Sequence, residues 1–327
     1  MNVLVNADLG DIIYSLILHK ALAKDNEEVG YYYGISHPTA TTHHSKKRDA
    51  LYRLLEYQPY ISSFGYCDYL AWVDHHNNPY NLRVDIHDIH FNKTKNEPKY
   101  IDFVPNLFWD PFLVANEESY KDEFKHVPLI ELIRRRFNLE YSDYRDPWLF
   151  TPDIKMHDKK IIFNRTGRYF GTGAADITDF YKKLIDNVGV KNCGFVGFEE
   201  EYKTFCEAFG KIDHIETKDL LDVACAIKNS EMFIGNQSSC MAIAEAMNHD
   251  TIQEVSWRVP NCIFDHRSNF FGVLSTKNSD LDTDFVAIAS EEKEFDYIKF
   301  CNYFDDSEKQ LRFDLGYQTF NLKKVVL

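Results

Sequence analysis

Three short stretches of this chain bring together residue types able to do chemistry. The first is Asp8-Leu9-Gly10-Asp11-Ile12-Ile13, directly after a short apolar run. Gly10 permits a tight turn from strand into helix, and Asp11 falls at or near the start of that helix. A carboxylate there either caps the helix or, if it borders a cleft, serves as a general base. The second stretch is Asn164-Arg165-Thr166-Gly167-Arg168-Tyr169. Guanidinium groups stay charged and bind phosphate oxygens in pairs, so Arg165 and Arg168 after a strand suit a diphosphate. Surface arginines in a loop are the plainer reading.

The third stretch runs from Met232 to Met247. A strand ends at Gly235, Asn236 and Gln237 form a polar turn, and a helix rich in small residues begins at Ser238-Ser239. Backbone N–H groups at a helix start, with the helix dipole behind them, attract an anion. Gly235, Asn236 and Gln237 are candidates to line a nucleoside. Ala242, Ala244 and Ala246 permit close approach of a ligand or a sheet. Glu245 lies two turns on from Ser238, on roughly the same helix side, where it could accept hydrogen bonds from ribose hydroxyls. A capped packing helix with one surface Glu is the alternative.

These stretches need elements to hold them. Apolar residues from 11 to 22 recur at helical spacing after the strand at 2–6. Residues 31–33 predict a second strand and 49–57 a second helix. Residues 82–87 alternate like a strand, and 127–137 read as helix. The stretch between Pro147 and Pro152 is extended and reads as a linker. Beyond it, strands are expected at 160–164, 193–198, 212–215, 231–235 and 251–255. Helices are expected between them, at 177–188, 199–209, 219–229 and 238–247. Strands alternating with helices of this length imply a parallel sheet, whose ligands bind at the carboxyl ends of the strands.

The chain has 327 residues, which suits two domains, with boundaries at 1–150 and 151–300. Its net charge of −14 argues against bulk attraction to nucleic acid or anionic membrane. The basic clusters at 43–48 and 134–136 read as solvated helix surface. Seven Cys without a CxxC pair fit neither a disulfide framework nor a zinc knuckle, and point to a reducing, cytoplasmic setting. No apolar run is long enough to span a membrane. Asp85, His87, Asp88 and His90 are metal-ligand types, but strand alternation divides them between two faces. No metal is expected.

Gly10-Asp11 with its apolar helix, and residues 221–255 with their Phe-Ile-Gly-Asn-Gln-Ser core, resemble the heptosyltransferase-like group of bacterial and phage glycosyltransferases. The resemblance covers the start of the chain and most of 148–262. It implies the GT-B fold: α/β, with two Rossmann-like doubly wound domains facing a central cleft. Residues 301–327 would then pack back towards the N-terminal domain. It also implies Asp11 as catalytic base, inversion at the sugar, and donor diphosphate held by Arg165, Arg168, Ser238 and Ser239. Glu245 would hold the nucleoside. The only co-substrate implied is a nucleotide-diphosphate sugar, with no separate cofactor and no metal. The family's second motif reads Asp-Ser/Thr-Gly, two further residues, then His. Here Gln237 stands at the Asp place, Ser239 at the Gly place and Ala242 at the His place.

The expected acceptor is a glycan such as a lipopolysaccharide-type sugar, or hydroxymethylated phage DNA. Two other classes stay open. One is a non-catalytic sugar- or nucleotide-binding protein, suggested by Gln237 and Ala242. The other is a sugar-nucleotide epimerase.

Overall fold

The computed structural model describes residues 1–5, 9–26, 28–34, 41–67, 86–92, 130, 133–134, 137–140, 146–167, 174–255, 270–275, 285–289, 311–312 and 321–324. Two sheets organise them. The first has the order β1 (Asn2–Val5), β2 (Gly30–Gly34), β3 (Ser63–Cys67), β4 (Ile86–Asn92). Its first three strands are parallel, and β4 returns antiparallel along β3. Helix α1 (Leu9–Leu22) follows β1, and α2 (Thr41–Tyr57) links β2 to β3.

The second sheet begins with β5 (Ile161–Asn164). Then come α3 (Ala174–Val188), β6 (Cys193–Phe195), α4 (Glu199–Phe209), β7 (Asp213–His214) and α5 (Leu220–Lys228). The chain continues through β8 (Met232–Asn236), α6 (Ser239–Ala246), β9 (Thr251–Val255) and β10 (Phe270–Ser275). These six strands are parallel and lie in the order β7-β6-β5-β8-β9-β10. The chain thus winds one way from β5 and the other way from β8. That is a doubly wound sheet, and its switch point lies between the carboxyl ends of β5 and β8.

Past β10, β11 (Phe285–Ala289), β12 (Leu311–Arg312) and β13 (Asn321–Lys324) add antiparallel strands to the same sheet. Leu311–Arg312 and Asn321–Lys324 thus extend the second sheet; the rest of 301–327, expected to pack back towards the N-terminal domain, lies outside the described residues. Main-chain pairing with β11 places the two strands.

Alternation along the central strands explains the layers. Ile161, Phe163, Ile234 and Phe195 point into an aromatic core with Tyr181, Phe205 and Phe209 of α3 and α4. Ile162 and Phe233, one residue out of phase, point to the other face and join α5 and α6. On that side one apolar cluster runs on through α1 and α2 to Val3, Tyr31 and Phe64 of the first sheet. Helix α1 is buried from Ile12 to His19 because it has the first sheet on one side and α6 on the other. The alanines at 242, 244 and 246 are fully buried there, so their small size serves helix packing.

The segment after Pro147 has no regular secondary structure, and Trp148 and Leu149 make it a strap buried between helices. Trp148 and Leu149 donate their backbone N–H groups to Ala246 O at 2.8 and 3.0 Å. The Trp148 indole donates to Ile13 O at 3.0 Å, and Trp148 O accepts from the Tyr60 hydroxyl. Arg53 of α2 adds an ion pair to Asp219 and Asp222 at 2.8 and 3.1 Å. Among the described residues, no helix is long and apolar enough to cross a membrane. The strand expected at 82–87 is found at Ile86–Asn92, and Asp85 lies outside the described residues.

Candidate functional site

The switch point is held by short polar side chains that bond across strands. Asn164 ends β5 and is buried; its Nδ2 donates to Val196 O at 2.9 Å, and its Oδ1 accepts from Ser238 Oγ at 2.9 Å. Asn236 ends β8 and pairs with both backbone groups of Thr166. Its Oδ1 accepts from Thr166 N at 3.0 Å and its Nδ2 donates to Thr166 O at 2.8 Å. The expected nucleoside role of Asn236 thus gives way to a clamp between two loops. Gly235 is required by the same closeness, since a Cβ there would lie 2.5 Å from Asn164 O. It serves the approach of β5 to β8. Gln237 beside it is buried.

Ser238 is the N-cap of α6, as the sequence predicts. Its Oγ accepts from Met241 N at 3.3 Å. With the Met241 N–H so engaged, the N–H groups of Ser239 and Cys240 are the first-turn donors on offer to an anion. The Cys240 thiol is pushed up to about 12 by burial, so it stays protonated and is no nucleophile.

The first turn of α1 comes to the same place. A Cβ built on Gly10 would lie 3.9 Å from both the N and the Cα of Ser239. Two stretches separated by more than two hundred residues therefore meet at the starts of two helices. Asp11 is half-buried in that first turn. It does not cap the helix: α1 already begins at Leu9, so Asp11 is its third residue. Gly10 is likewise inside the helix rather than in the turn before it. The turn at 6–8 lies outside the described residues.

Two sequence candidates go elsewhere. Arg165 is 4% exposed and forms a two-pronged ion pair with Glu254 of β9, Nε to Oε2 at 2.6 Å and Nη2 to Oε1 at 2.8 Å. Its guanidinium also sits 5.3 Å over the Phe209 ring. Burial alone would lower its pKa, but the Glu254 carboxylate outweighs that and raises it. The charge offered to a ligand is thereby neutralised within the protein. Glu245 is 0% exposed, and its Oε1 accepts from Thr251 Oγ1 at 2.6 Å. It sits in the last turn of an eight-residue helix, about 9 Å along the axis from Ser239. The side of the helix that carries Glu245 packs inward. Arg168 lies outside the described residues.

The residue missed by sequence reading is Glu201. It follows β6, the strand beside β5, and its Oε2 accepts from Phe198 N at 3.1 Å. Gly197, at φ 138°, lets this happen. A Cβ on Gly197 would fall 2.8 Å from both Glu201 Oε2 and Asn164 Nδ2. Glu201 thus stands beside the Asn164–Ser238 link. Burial pushes its carboxyl up, with the Phe198 N–H opposing. In doubly wound sheets an acidic residue after the second strand takes the ribose hydroxyls. In the sequence, Glu201 stands only as part of the helix expected over 199–209, with three Glu in its first turn. Among the described residues, no cluster of His, Cys, Asp or Glu is arranged to hold a metal ion.

No protein-family profile and no curated protein sequence matches the chain. Solved structures do resemble it at a distance. The crystal structure of the glycosyl transferase family 9 from Veillonella parvula DSM 2008 is 14% identical, with a TM-score of 0.46 over 77% of this chain and 79% of that one. The E. coli heptosyltransferase WaaC with ADP is 10% identical, with a TM-score of 0.43 over 77% and 86%. A putative UDP-N-acetylglucosamine 2-epimerase from Listeria monocytogenes is 11% identical, with a TM-score of 0.41 over 77% and 78%. What the chain shares with these α/β proteins is a distant likeness, and its own strand order carries the description of its fold.

Proposed function

We propose that this chain is a nucleotide-sugar-dependent glycosyltransferase of GT-B type that moves a sugar to an acceptor hydroxyl with inversion. The observation that carries the reading is the meeting of Gly10 with Ser239. It sets the turn bearing Asp11 against the N–H end of α6, at the switch point of a doubly wound sheet. Donor diphosphate is assigned to the Ser239 and Cys240 N–H groups and, by its place three residues after Arg165 in the sequence, to Arg168. Ribose hydroxyls are assigned to Glu201. Asp11 takes the proton of the acceptor hydroxyl as its oxygen bonds to the anomeric carbon. The bond from that carbon to the diphosphate breaks, and the diphosphate leaves with the electron pair. Negative charge grows on its oxygens where two helix N-termini converge, which favours the transition state. Arg165, paired with Glu254, fixes the ends of β5 and β9.

The distinguishing experiment is Asp11→Asn. Turnover is expected to fall by roughly 10²–10⁴-fold, the usual worth of a general base, while donor affinity stays within about twofold of wild type. Loss of donor binding with little loss of turnover would sink the base assignment. Product analysis separates the epimerase reading, because an epimerase changes the donor sugar without any acceptor. The acceptor is proposed to be a glycan; binding to hydroxymethylated duplex DNA that weakens steeply with salt would move the proposal to a nucleic-acid acceptor.

A further inference from the structure

Phe198 is the large hydrophobic residue most exposed to solvent among the described residues, at 75%. Neither stability nor folding accounts for an aromatic there. It occupies the N-cap position of α4, where a short polar side chain would stabilise the helix start, and its ring makes no capping hydrogen bond. Its surface contributes nothing to either apolar core. Its backbone, in contrast, is firmly held. Phe198 N donates to Glu201 Oε2, and Tyr202 N donates to Phe198 O at 2.9 Å. The residue before it, Gly197, touches Asn164, which is bonded in turn to Ser238. An anchored aromatic thus stands in water at the N-cap of α4, three residues before Glu201.

We infer that the ring of Phe198 is the platform on which the base of the nucleotide stacks. The inference rests on the nucleotide reading above: with diphosphate at Ser239 and ribose at Glu201, the base is the next group outward along the ligand. Every nucleobase has a flat π face that stacks on an aromatic side chain. A fixed, pre-exposed ring requires little ordering when the ligand arrives. Stacking alone is tolerant of base identity, so Phe198 contributes affinity while selection among bases falls to other groups.

The full-length protein is titrated with UDP, ADP, GDP and CDP, and the best-bound of the four is carried forward. Phe198→Ala is expected to weaken that ligand about tenfold or more, the worth of one base–aromatic stack. Phe198→Tyr keeps the affinity within about threefold. The melting temperature of Phe198→Ala stays at the wild-type value, because the ring is already exposed. In Phe198→Trp, the added indole emission is quenched by the nucleotide in a saturable way. Wild-type affinity in Phe198→Ala, or an indole at 198 that the nucleotide leaves unquenched, overturns the platform alone. A wild-type protein that binds none of the four nucleotides overturns the nucleotide reading and the platform with it.

Discussion

At its first turn, α6 meets Gly10 of α1 through the Ser239 backbone, beside the half-buried Asp11. At its last turn, Glu245 is sealed against Thr251, and Ala246 O takes the N–H groups of Trp148 and Leu149. Both ends carry polar groups that the sequence offers as ligand contacts. At the far end these groups are taken by the strap and by β9, and they hold the two sheets together. At the near end the Ser238 cap engages the Met241 N–H, and the Ser239 and Cys240 N–H groups beside it are the ones proposed for the ligand. What separates a binding end from a structural end is whether partners within the chain already satisfy the polar groups.

Substitutions at the two ends should therefore separate stability from binding. The largest effect is expected for Trp148→Ala at the structural end. It removes a fully buried indole and its bond to Ile13 O, and should cost about 3–5 kcal/mol in urea unfolding. Nucleotide affinity of the folded protein should change little. A stability near wild type would mean the strap is not what joins the sheets.

Acid should act on the same end. His249, just past α6, lies 3.1 Å from Ser230 Oγ, and burial lowers its pKa to about 4. His19 in α1 is likewise lowered to about 4 by burial, against a backbone bond to Ser15 O. The unfolded chain takes up these protons first, near pH 6.5. The contribution of each histidine is complete above that pH, declines as pH falls towards 4, and is lost below it. Each accounts for about 3 kcal/mol across this window. A pH series of unfolding midpoints checks it: His249→Gln should flatten the slope between pH 6.5 and 4, and an unchanged slope would count against a buried neutral His249.

The smallest effects come from the paired carboxylates. Glu201→Gln is expected to weaken nucleoside diphosphate binding about tenfold, as suits loss of a charged hydrogen-bond acceptor. Glu245→Gln keeps an acceptor for Thr251, should cost about 1 kcal/mol of stability, and should leave nucleotide affinity within about twofold. Calorimetric titration decides between them, and the reverse pattern would restore the ribose to Glu245.

Much of the second half was legible from residues 160–255, because local periodicity and punctuation set its elements. Ser238 as a cap, Asp219 at the start of α5 and the apolar run Ile161–Phe163 of β5 are matters of near neighbours. The first half was read less well. Strand β3 was not anticipated, α2 begins well before 49, and β4 lies further along than its alternation suggested. Helix α1 was marked by its apolar spacing, whereas β3 is only five residues long with a Gly at its centre, which gives a strand little to be read by.

The sequence by itself determined where α4, α5 and α6 start and offered the last of these as an anion site, because capping and helix dipoles depend on residues a few positions apart. Only the tertiary structure decided which charges stay available. Arg165 is neutralised by Glu254 eighty-nine residues away, Glu245 is covered by Thr251, and Gly10 finds Ser239 across the molecule. A polar group's role depends on who satisfies it, and those partners are distant along the chain, beyond the reach of any local pattern.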